Sequence, residues 1–356
     1  MPHHEPYDPS HSFLMECRHA ISFSQNPLII GYLTVKTLFS TVGLGLCVVL
    51  FLRETDLRKT LHFNARLIIV VHFLSVMVNS LAQATTGAYD LLRFTVLTST
   101  GKCSVPLLSH KYAVFVNVPV ILSQNMDSLT LVALGIERTV ATVLAKNYEK
   151  KKHRLISLSL LMISSLVSIW WIVRFFQKGH SKHAEHNLYS MITVPSEVSG
   201  DNRLNSLFLA LLEIVILVIF VVLLAFNLKL KRAARRVSAP LAMKYQVEEN
   251  LASVTVLLSM AFVQVLIYTV TFGLNFLLGH HHDLDHENES SLLFTNVSVI
   301  YHVALPIIWL IQARQKRKSV SRQAQSRIGS LAQDETKTHF DILKDLFHEN
   351  AHKIGR

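Results

Sequence analysis

Long apolar runs constrain this chain more than any other feature of its sequence. Several of them reach the roughly 20 residues that an α-helix needs to cross a hydrocarbon core of about 30 Å. Such helices satisfy their backbone hydrogen bonds internally, so they are stable in a bilayer and pack there as a bundle. The chain is 50% hydrophobic and only 17% charged. We therefore predict an all-α integral membrane protein and exclude a soluble domain.

Seven membrane spans follow from the positions of these runs. They are predicted at about residues 28–52, 65–86, 112–136, 155–176, 207–228, 251–278 and 292–311. Residues 1–27 are then an N-terminal tail, residues 28–312 a seven-helix domain and residues 313–356 a C-terminal tail. The N-terminal tail lacks the apolar core of a cleavable signal peptide, so we expect the first span itself to direct insertion.

Lysines and arginines in the short connections predict the orientation, because positively charged loops stay in the cytosol. These residues cluster after the first, third, fifth and seventh spans, whereas residues 279–291 contain none. The pattern predicts a multi-pass protein with its N-terminus outside and its C-terminus in the cytosol. The net charge of +11 is accordingly attributed to topology and to contact with the lipid bilayer, and not to nucleic-acid binding.

Two of the three cysteines are candidates for a disulfide. Cys17 and Cys103 lie outside the apolar runs, whereas Cys47 lies inside the first span. If both outer cysteines face the outside, they can join the N-terminal tail to the top of the third span; two free thiols are the alternative. Asn288 begins an Asn-Glu-Ser sequon on the predicted outer side and is a candidate glycosylation site.

Charged side chains inside spans are costly and often mark functional positions. Here they are Lys36, Asp127 and Glu213. We interpret them as the polar floor and wall of a ligand cavity, together with Gln124, Gln264, Tyr268, Tyr301 and His302. The alternatives are hydrogen bonds between helices, or a Lys36 side chain that extends to the membrane surface. Lys36 can also pair with one of the two acids, and the sequence does not indicate which.

The predicted inner ends of the third and fifth spans carry ionic residues. Glu137 and Arg138 end the third span, directly after a long apolar run. Beyond the fifth span, Arg232, Arg235 and Arg236 recur at helical spacing. These arginines predict a basic docking face on a helix that extends into the cytosol. The alternative is a role in topology and lipid contact alone.

The sequence contains none of the motifs that we expect of an enzyme. There is no phosphate-binding glycine loop, no Cys-x-x-Cys pair and no Gly-x-Ser-x-Gly turn. We therefore predict neither catalysis nor a cofactor. The segment from His280 to His286 offers imidazoles and carboxylates, but ligand spacing in a flexible loop is unconstrained. We interpret it as a solvated acidic loop and not as a metal site.

Motifs at the predicted cytosolic ends of the spans resemble those of one receptor family. They are HFNARLI at residues 62–68, IERTVAT at residues 136–142, Tyr148-Glu149, and KYQVEEN at residues 244–250. In this order they resemble the nematode serpentine receptors of class alpha/beta (Srab), which are close to class alpha (Sra). These are seven-transmembrane G-protein-coupled chemoreceptors. The resemblance covers the membrane region and not the termini.

This resemblance implies a plasma-membrane receptor of sensory neurons that binds an external chemical and activates a heterotrimeric G protein. By similarity, Glu137 and Arg138 correspond to the acid–arginine pair that restrains the inactive state; an ordinary ion pair at a helix end is the alternative. One alternative function is a transporter or channel that uses Lys36, Asp127 and Glu213 as a charge path. A second is a non-signalling membrane scaffold.

The sequence departs from the larger rhodopsin-like class in three places. Residues 177–205 contain no cysteine, so the usual bridge from the third span to this loop cannot form. The sixth span lacks proline, and the seventh ends Leu305-Pro306-Ile307-Ile308-Trp309 where the larger class has Asn-Pro-x-x-Tyr. We therefore do not expect the activation mechanics of that class to apply position by position.

Overall fold

The computed structural model describes residues 9–53, 63–97, 103–144, 154–179, 187–188, 196–236, 241–281, 297–315 and 318. Within these residues the chain forms eight helices and two short strands. The helices are α1 (Pro9–Gln25), α2 (Pro27–Arg53), α3 (Phe63–Thr95), α4 (His110–Val143), α5 (Arg154–Gly179), α6 (Ser196–Arg236), α7 (Leu241–His281) and α8 (299–315). The strands are β1 (Leu108–Ser109) and β2 (Asn187–Leu188).

Helices α2 to α8 lie in chain order near the positions of the seven predicted spans. The nearly all-helical architecture confirms the predicted fold class. Residues Met1–Ile308 form one compact unit and Trp309–Arg356 a second; every contact described below lies within the first. We name the two ends of the helices outer and inner after the orientation that the sequence predicts.

Five of the described helices are long and apolar enough to cross a membrane, namely α2, α3, α5, α6 and α7. Helix α4 is less apolar because polar residues recur along its middle, from Gln124 to Thr130. Most of those residues are buried against other helices. The polar side of α4 therefore faces the protein interior, as expected for polar groups in a membrane bundle.

Several helices extend well beyond the predicted spans. Helix α3 ends at Thr95 instead of near residue 86, and α6 and α7 each contain 41 residues. Hydropathy marks only the part of a helix that lies in hydrocarbon, whereas its backbone hydrogen bonding continues into polar sequence. As a consequence, Asp90 and Arg93 lie inside α3 and are fully buried.

The N-terminal segment contains α1, which packs on the outer end of the bundle. The residues of this hydrophobic contact are Ala20, Phe23, Ile29, Leu33, Phe94 and Val105. Cys17 on α1 forms a disulfide with Cys103, with a Cα–Cα distance of 5.6 Å. The structure thus contains the disulfide that the sequence predicts, and it attaches α1 to the segment that leads into α4.

Strands β1 and β2 connect the start of α4 to the loop that follows α5. They pair antiparallel, with Leu108 opposite Leu188 and Ser109 opposite Asn187. This loop contains no cysteine, so its contact with the α4 segment is made by backbone hydrogen bonds and not by a disulfide.

Two glycines allow close approach between helices. A Cβ atom at Gly43 on α2 would lie 2.8 Å from the Cβ atom of His302 on α8. A Cβ atom at Gly135 on α4 would lie 2.5 Å from Cδ1 of Ile216 on α6. Small residues at helix contacts are common in membrane bundles, because they let backbones pack closely without the hydrophobic effect.

Candidate functional site

The centre of the bundle contains a buried carboxylate with three side-chain donors. Asp127 on α4 accepts hydrogen bonds from Ser75 Oγ, from Asn79 Nδ2 at 3.4 Å and from Tyr268 Oη at 2.8 Å. Ser75 and Asn79 lie one turn apart on α3, and so share one face of that helix. Tyr268 approaches from α7. A single acid therefore connects three helices.

Glu213 on α6 is the second buried acid of this site. Its Oε1 atom accepts hydrogen bonds from Ser128 Oγ at 2.6 Å and from Gln264 Nε2 at 2.8 Å. The same Gln264 nitrogen lies 3.2 Å from the backbone carbonyl oxygen of Asp127 and donates to it as well. Gln264 thereby connects the Glu213 carboxylate to the backbone of Asp127.

His72 on α3 extends the polar contacts to α8. Its Nδ1 atom lies 2.9 Å from Thr130 Oγ1, and its Nε2 atom lies 2.8 Å from Tyr301 Oη. The Thr130 hydroxyl donates to the carbonyl of Met126 at 2.6 Å, which favours the tautomer with a proton on Nδ1. The rings of Tyr301 and Tyr268 also contact each other, with centroids 5.3 Å apart.

We refer to these side chains as the central network. Its members are His72, Ser75, Asn79, Asp127, Ser128, Thr130, Glu213, Gln264, Tyr268 and Tyr301. They come from five helices and all are buried. In the low dielectric of a protein interior, such hydrogen bonds between helices restrict how the helices can pack. Within the described protein, Asn79 Oδ1, Glu213 Oε2 and Gln264 Oε1 of the network have no hydrogen-bond partner.

Lys36 and His302 lie outside the central network, between α2, α3 and α8. Lys36 is only 2% exposed and interacts electrostatically with Asp90 on α3. The Oδ1 atom of Asp90 also lies 3.7 Å from the Nη1 atom of Arg93, which is one turn further along the same helix. The acid that interacts with Lys36 is thus neither Asp127 nor Glu213, the two acids inside the predicted spans.

Sequence reasoning missed Asp90 because it lies beyond the predicted end of the second span. The spacing of Asp90 and Arg93, three residues apart, is an available signal, because acid–base pairs at this spacing share a helix face. Helical continuation of α3 past residue 86 would have placed both groups at the depth of Lys36.

All of the predicted cavity residues except Gln124 therefore divide between two neighbouring groups. Asp127, Glu213, Gln264 and Tyr268 belong directly to the central network, and Tyr301 joins it through His72. Lys36 and His302 belong to the other group. Gln124 is half-buried on α4, one turn from Ser128. The three charges that a transport path would use are accordingly split between the two groups.

Arg138 is held by two helices at the inner end of α4. Its Nε and Nη2 atoms donate to the Glu137 carboxylate at 2.5 and 2.6 Å, and Nη1 donates to Ser253 Oγ on α7 at 3.0 Å. One turn away, Asn250 Nδ2 donates to the carbonyl of Ala141 at 3.4 Å. Both hydrogen bonds join α4 to α7 near Arg138, and the guanidinium is 1% exposed.

Ser253 carries no signal in the sequence that would single it out. Serines recur throughout the spans, and several of them bond to a carbonyl of their own helix, as Ser253 also does toward Asn250. Only the packing of α7 against α4 brings its oxygen to Arg138.

The basic residues beyond the fifth span continue α6, which ends at Arg236. Arg232 is exposed, and Arg235 and Arg236 follow in the last turn of the helix. Nearby, Lys231 Nζ lies 3.3 Å from Glu248 Oε1 on α7. Asn288 lies outside the described residues, so its glycosylation stays a prediction.

An apolar groove of about 460 Å³ lies beside the inner half of the bundle, between α4 and α6. Its lining residues are Ile136, Thr139, Val140, Val218, Ile219, Val222 and Leu223. None of them is charged, so this groove differs in chemistry from both polar groups.

Comparison with known proteins identifies the family to which the chain belongs. Residues 15–347 match a family described as serpentine type 7TM GPCR receptor class ab chemoreceptor. The chain is 23% identical to serpentine receptor class beta-17 of Caenorhabditis elegans over 319 residues, which cover 88% of this chain and 85% of that protein. It is 22% identical to serpentine receptor class alpha/beta-14 of the same organism, with 93% of this chain and 92% of that protein covered.

Proposed function

Because the chain belongs to the serpentine class ab family of seven-transmembrane G-protein-coupled receptors, we propose that it is a chemosensory receptor. In this proposal it binds an external chemical and activates a heterotrimeric G protein. The observation that carries the proposal is the buried Arg138, which Glu137 and Ser253 hold at the inner end of the helix that also carries Asp127. An arginine held in this way becomes available to a partner when the contact with α7 breaks.

Two hydrogen bonds between α4 and α7 supply a route from the membrane interior to the inner surface. Asp127 bonds to Tyr268 near the middle of the bundle, and Arg138 bonds to Ser253 at its inner end. Along α7 these two contacts lie 15 residues apart, or about 22 Å. The helix between them is continuous, so a displacement of α7 at Tyr268 also moves Ser253.

A ligand need only bind the two arrangements of α7 with different affinity to shift their populations. Polar groups of the ligand that compete for the donors of Asp127 would weaken the α4–α7 contact in the middle of the bundle. The resulting motion of α7 would withdraw Ser253 from Arg138. Helix movements of this kind are common in switching proteins.

The remaining assignments follow from this proposal. The receptor lies in the plasma membrane of sensory neurons, with residues 1–27 outside and residues 313–356 in the cytosol. Arg232, Arg235 and Arg236 contact the G protein together with the Arg138 region. A small external chemical is the ligand, and Asn288 carries a glycan.

The test is G-protein nucleotide exchange in cells that display the receptor, across a panel of volatile and water-soluble compounds. We expect at least one compound to stimulate exchange and Arg138→Ala to abolish that response while surface display persists. Arg174→Ala is the matched control, because Arg174 lies on α5 with its guanidinium 5.4 Å from the ring centroid of Trp170. This control should respond as the wild type does.

Two results would contradict the proposal. One is a ligand response of normal size in Arg138→Ala. The other is compound-dependent ion current or uptake without nucleotide exchange, which would favour a transporter or channel that uses Lys36, Asp127 and Glu213.

A further inference from the structure

A second group of polar side chains converges between α2, α3 and α8. We refer to Lys36, Ser40, Gln83 and His302 as the Lys36 cluster. All four residues are at most 2% exposed. None of them forms a hydrogen bond with the central network among the contacts described above.

The packing of α2 against α3 places Gln83 beside the turn of α2 that carries Ser40. A Cβ atom at Gly87 on α3 would lie 2.6 Å from Thr37 Oγ1, which fixes the register of the two helices. Gln83 lies one turn from Gly87 on the same face, and α3 runs antiparallel to α2. Gln83 therefore faces the part of α2 just beyond Thr37.

His302 enters the same region from α8. The backbone of His302 lies close enough to Gly43 that an added Cβ would meet its carbonyl oxygen at 2.9 Å. The carbonyl also lies 4.0 Å from Cys47 Sγ, one turn further along α2. Ser40, Gly43 and Cys47 share one face of α2 with Lys36. The imidazole of His302 interacts electrostatically with the Lys36 ammonium.

Several polar atoms of the cluster have no hydrogen-bond partner within the described protein. They are Ser40 Oγ, both side-chain amide atoms of Gln83 and both ring nitrogens of His302. An unsatisfied buried polar group costs about 1–3 kcal/mol, and such groups are rare in native interiors. Single buried atoms without a partner occur elsewhere as well, among them Asn79 Oδ1, Glu213 Oε2 and Gln264 Oε1 of the central network. In Gln83 and His302, by contrast, every polar side-chain atom lacks a partner within the described protein, and this indicates that a polar partner from outside the chain binds here.

The hydrogen-bond donors and acceptors of the cluster indicate which kind of partner can bind there. The Lys36 ammonium donates only, and Ser40, the Gln83 amide and one nitrogen of His302 add further donors. The acceptor atoms are Ser40 Oγ, the Gln83 amide oxygen and one nitrogen of His302, and they are fewer than the donor hydrogens. The acid that interacts with Lys36 is Asp90. Its carboxylate also pairs with Arg93, whose Nη1 atom lies 3.7 Å from Asp90 Oδ1. A negatively charged acceptor therefore complements the cluster.

We propose that Lys36, Gln83 and His302 bind a small organic carboxylate between α2, α3 and α8. The carboxylate oxygens accept from the Lys36 ammonium and from the Gln83 amide, and the His302 ring contributes a further donor. The inference goes beyond the proposed function, because this carboxylate site is separate from Asp127 and its donors, where the proposed function places the competing ligand.

The test is thermal unfolding of the purified full-length receptor in lipid nanodiscs at constant pH and ionic strength. The probes are the sodium salts of acetate, propionate, butyrate and benzoate, with sodium chloride and methyl butyrate as reference additives. We expect at least one carboxylate to raise the unfolding midpoint by about 3–6 °C at a concentration a hundred times its dissociation constant. Methyl butyrate should give no such shift, because it lacks the charge.

Two variants connect the shift to the cluster. Lys36→Met removes the cation, and Gln83→Leu replaces an amide whose atoms lack partners within the described protein, so the second change should not lower the unbound midpoint. Both should lose at least four-fifths of the carboxylate-dependent shift. Lys229→Met is the matched control, because this lysine of α6 is exposed, and it should keep the full shift.

Three results would overturn the inference. The first is the absence of a shift with every carboxylate, which would mean that the cluster holds water only. The second is a shift that persists in both Lys36→Met and Gln83→Leu, and the third is an equal shift with methyl butyrate. Because this assay contains no G protein, its outcome does not depend on the nucleotide-exchange test of the proposed function, and either test can fail without the other.

Discussion

Asp127 illustrates how single residues make this bundle possible. A charged side chain at the centre of a span costs about 2.5–3.5 kcal/mol on insertion scales. The donors from Ser75, Asn79 and Tyr268 offset this cost, because hydrogen bonds to charged groups are roughly twice as strong as neutral ones. The acid is therefore stable only when α3 and α7 pack against α4.

Removing one of these donors should destabilise the receptor. Tyr268→Phe keeps the ring but deletes the hydroxyl that lies 2.8 Å from Asp127 Oδ2. We expect the free energy of unfolding to fall by about 1–3 kcal/mol, because the buried acid keeps fewer donors. Thermal unfolding of the purified receptor measures this change. Tyr112→Phe is the control, since Tyr112 is 49% exposed, and equal losses in both variants would contradict the role given to Asp127.

Polar residues with a structural role were predictable where a charged side chain interrupts an apolar span. Asp127, Glu213 and Lys36 are visible as charges inside spans, and the structure buries all three. Their small polar partners, such as Ser75 and Ser253, were not predictable. Serine is common in membrane helices and usually bonds to its own backbone, so only packing distinguishes a serine that reaches another helix.

At the scale of elements, the segments at the outer end of the bundle are joined by a disulfide and by the backbone hydrogen bonds of β1 and β2. Hydropathy does not reveal the strand pair. The sequence predicted the spans because a bilayer demands long apolar helices. It did not predict α1 or the β1–β2 pair, because neither is apolar enough to be marked. The disulfide was predictable from the positions of Cys17 and Cys103 outside the spans.

The Cys17–Cys103 disulfide closes a segment of 86 residues in sequence separation. On the chain-entropy account, a disulfide that closes a loop of this size stabilises the folded protein by roughly 4–5 kcal/mol. We expect Cys17→Ser and Cys103→Ser to lower surface expression to a similar extent, and the double variant to lower it no further. Flow cytometry of tagged receptor measures the outcome. Cys47→Ser should combine additively with either change, whereas additive losses for Cys17 and Cys103 would contradict a shared disulfide.

Because α2 contacts α8 closely, we expect alanine substitutions at two glycines of α2 to have different effects on stability. Gly43→Ala places a methyl group 2.8 Å from the Cβ atom of His302 and 2.9 Å from its backbone. Overpacking of this kind costs about 1–3 kcal/mol, so the unfolding midpoint should fall. Gly45→Ala is the control, because no atom lies within 4 Å of its added Cβ. Equal stability of the two variants would contradict the close packing of α2 on α8.

At the scale of the whole molecule, the central network and the Arg138 contacts act through the same pair of helices. Helices α4 and α7 meet at Asp127 and Tyr268, and again at Arg138 and Ser253. Each contact alone is a modest interaction. Together they favour one arrangement of α7, and a receptor that signals must have a second arrangement within a few kcal/mol of it. Weakening either contact should therefore raise the population of the second arrangement.

The most direct test of this account is ligand-independent nucleotide exchange by the Ser253→Ala receptor. Membranes that display it are assayed with a panel of heterotrimeric G proteins. The change removes the hydrogen bond to Arg138 Nη1, and hydrogen bonds to charged groups contribute about 1.5–3 kcal/mol. We predict that basal exchange rises several-fold over the wild type at equal surface display.

Thr255→Val is the matched control, because its exposed hydroxyl bonds only to the carbonyl of Leu251 in the same helix at 2.8 Å among the contacts described. It should leave basal exchange at the wild-type level, and adding Arg138→Ala to Ser253→Ala should abolish the increase. Basal exchange that stays at the wild-type level in Ser253→Ala would contradict the account, because Arg138 would then not be restrained by α7.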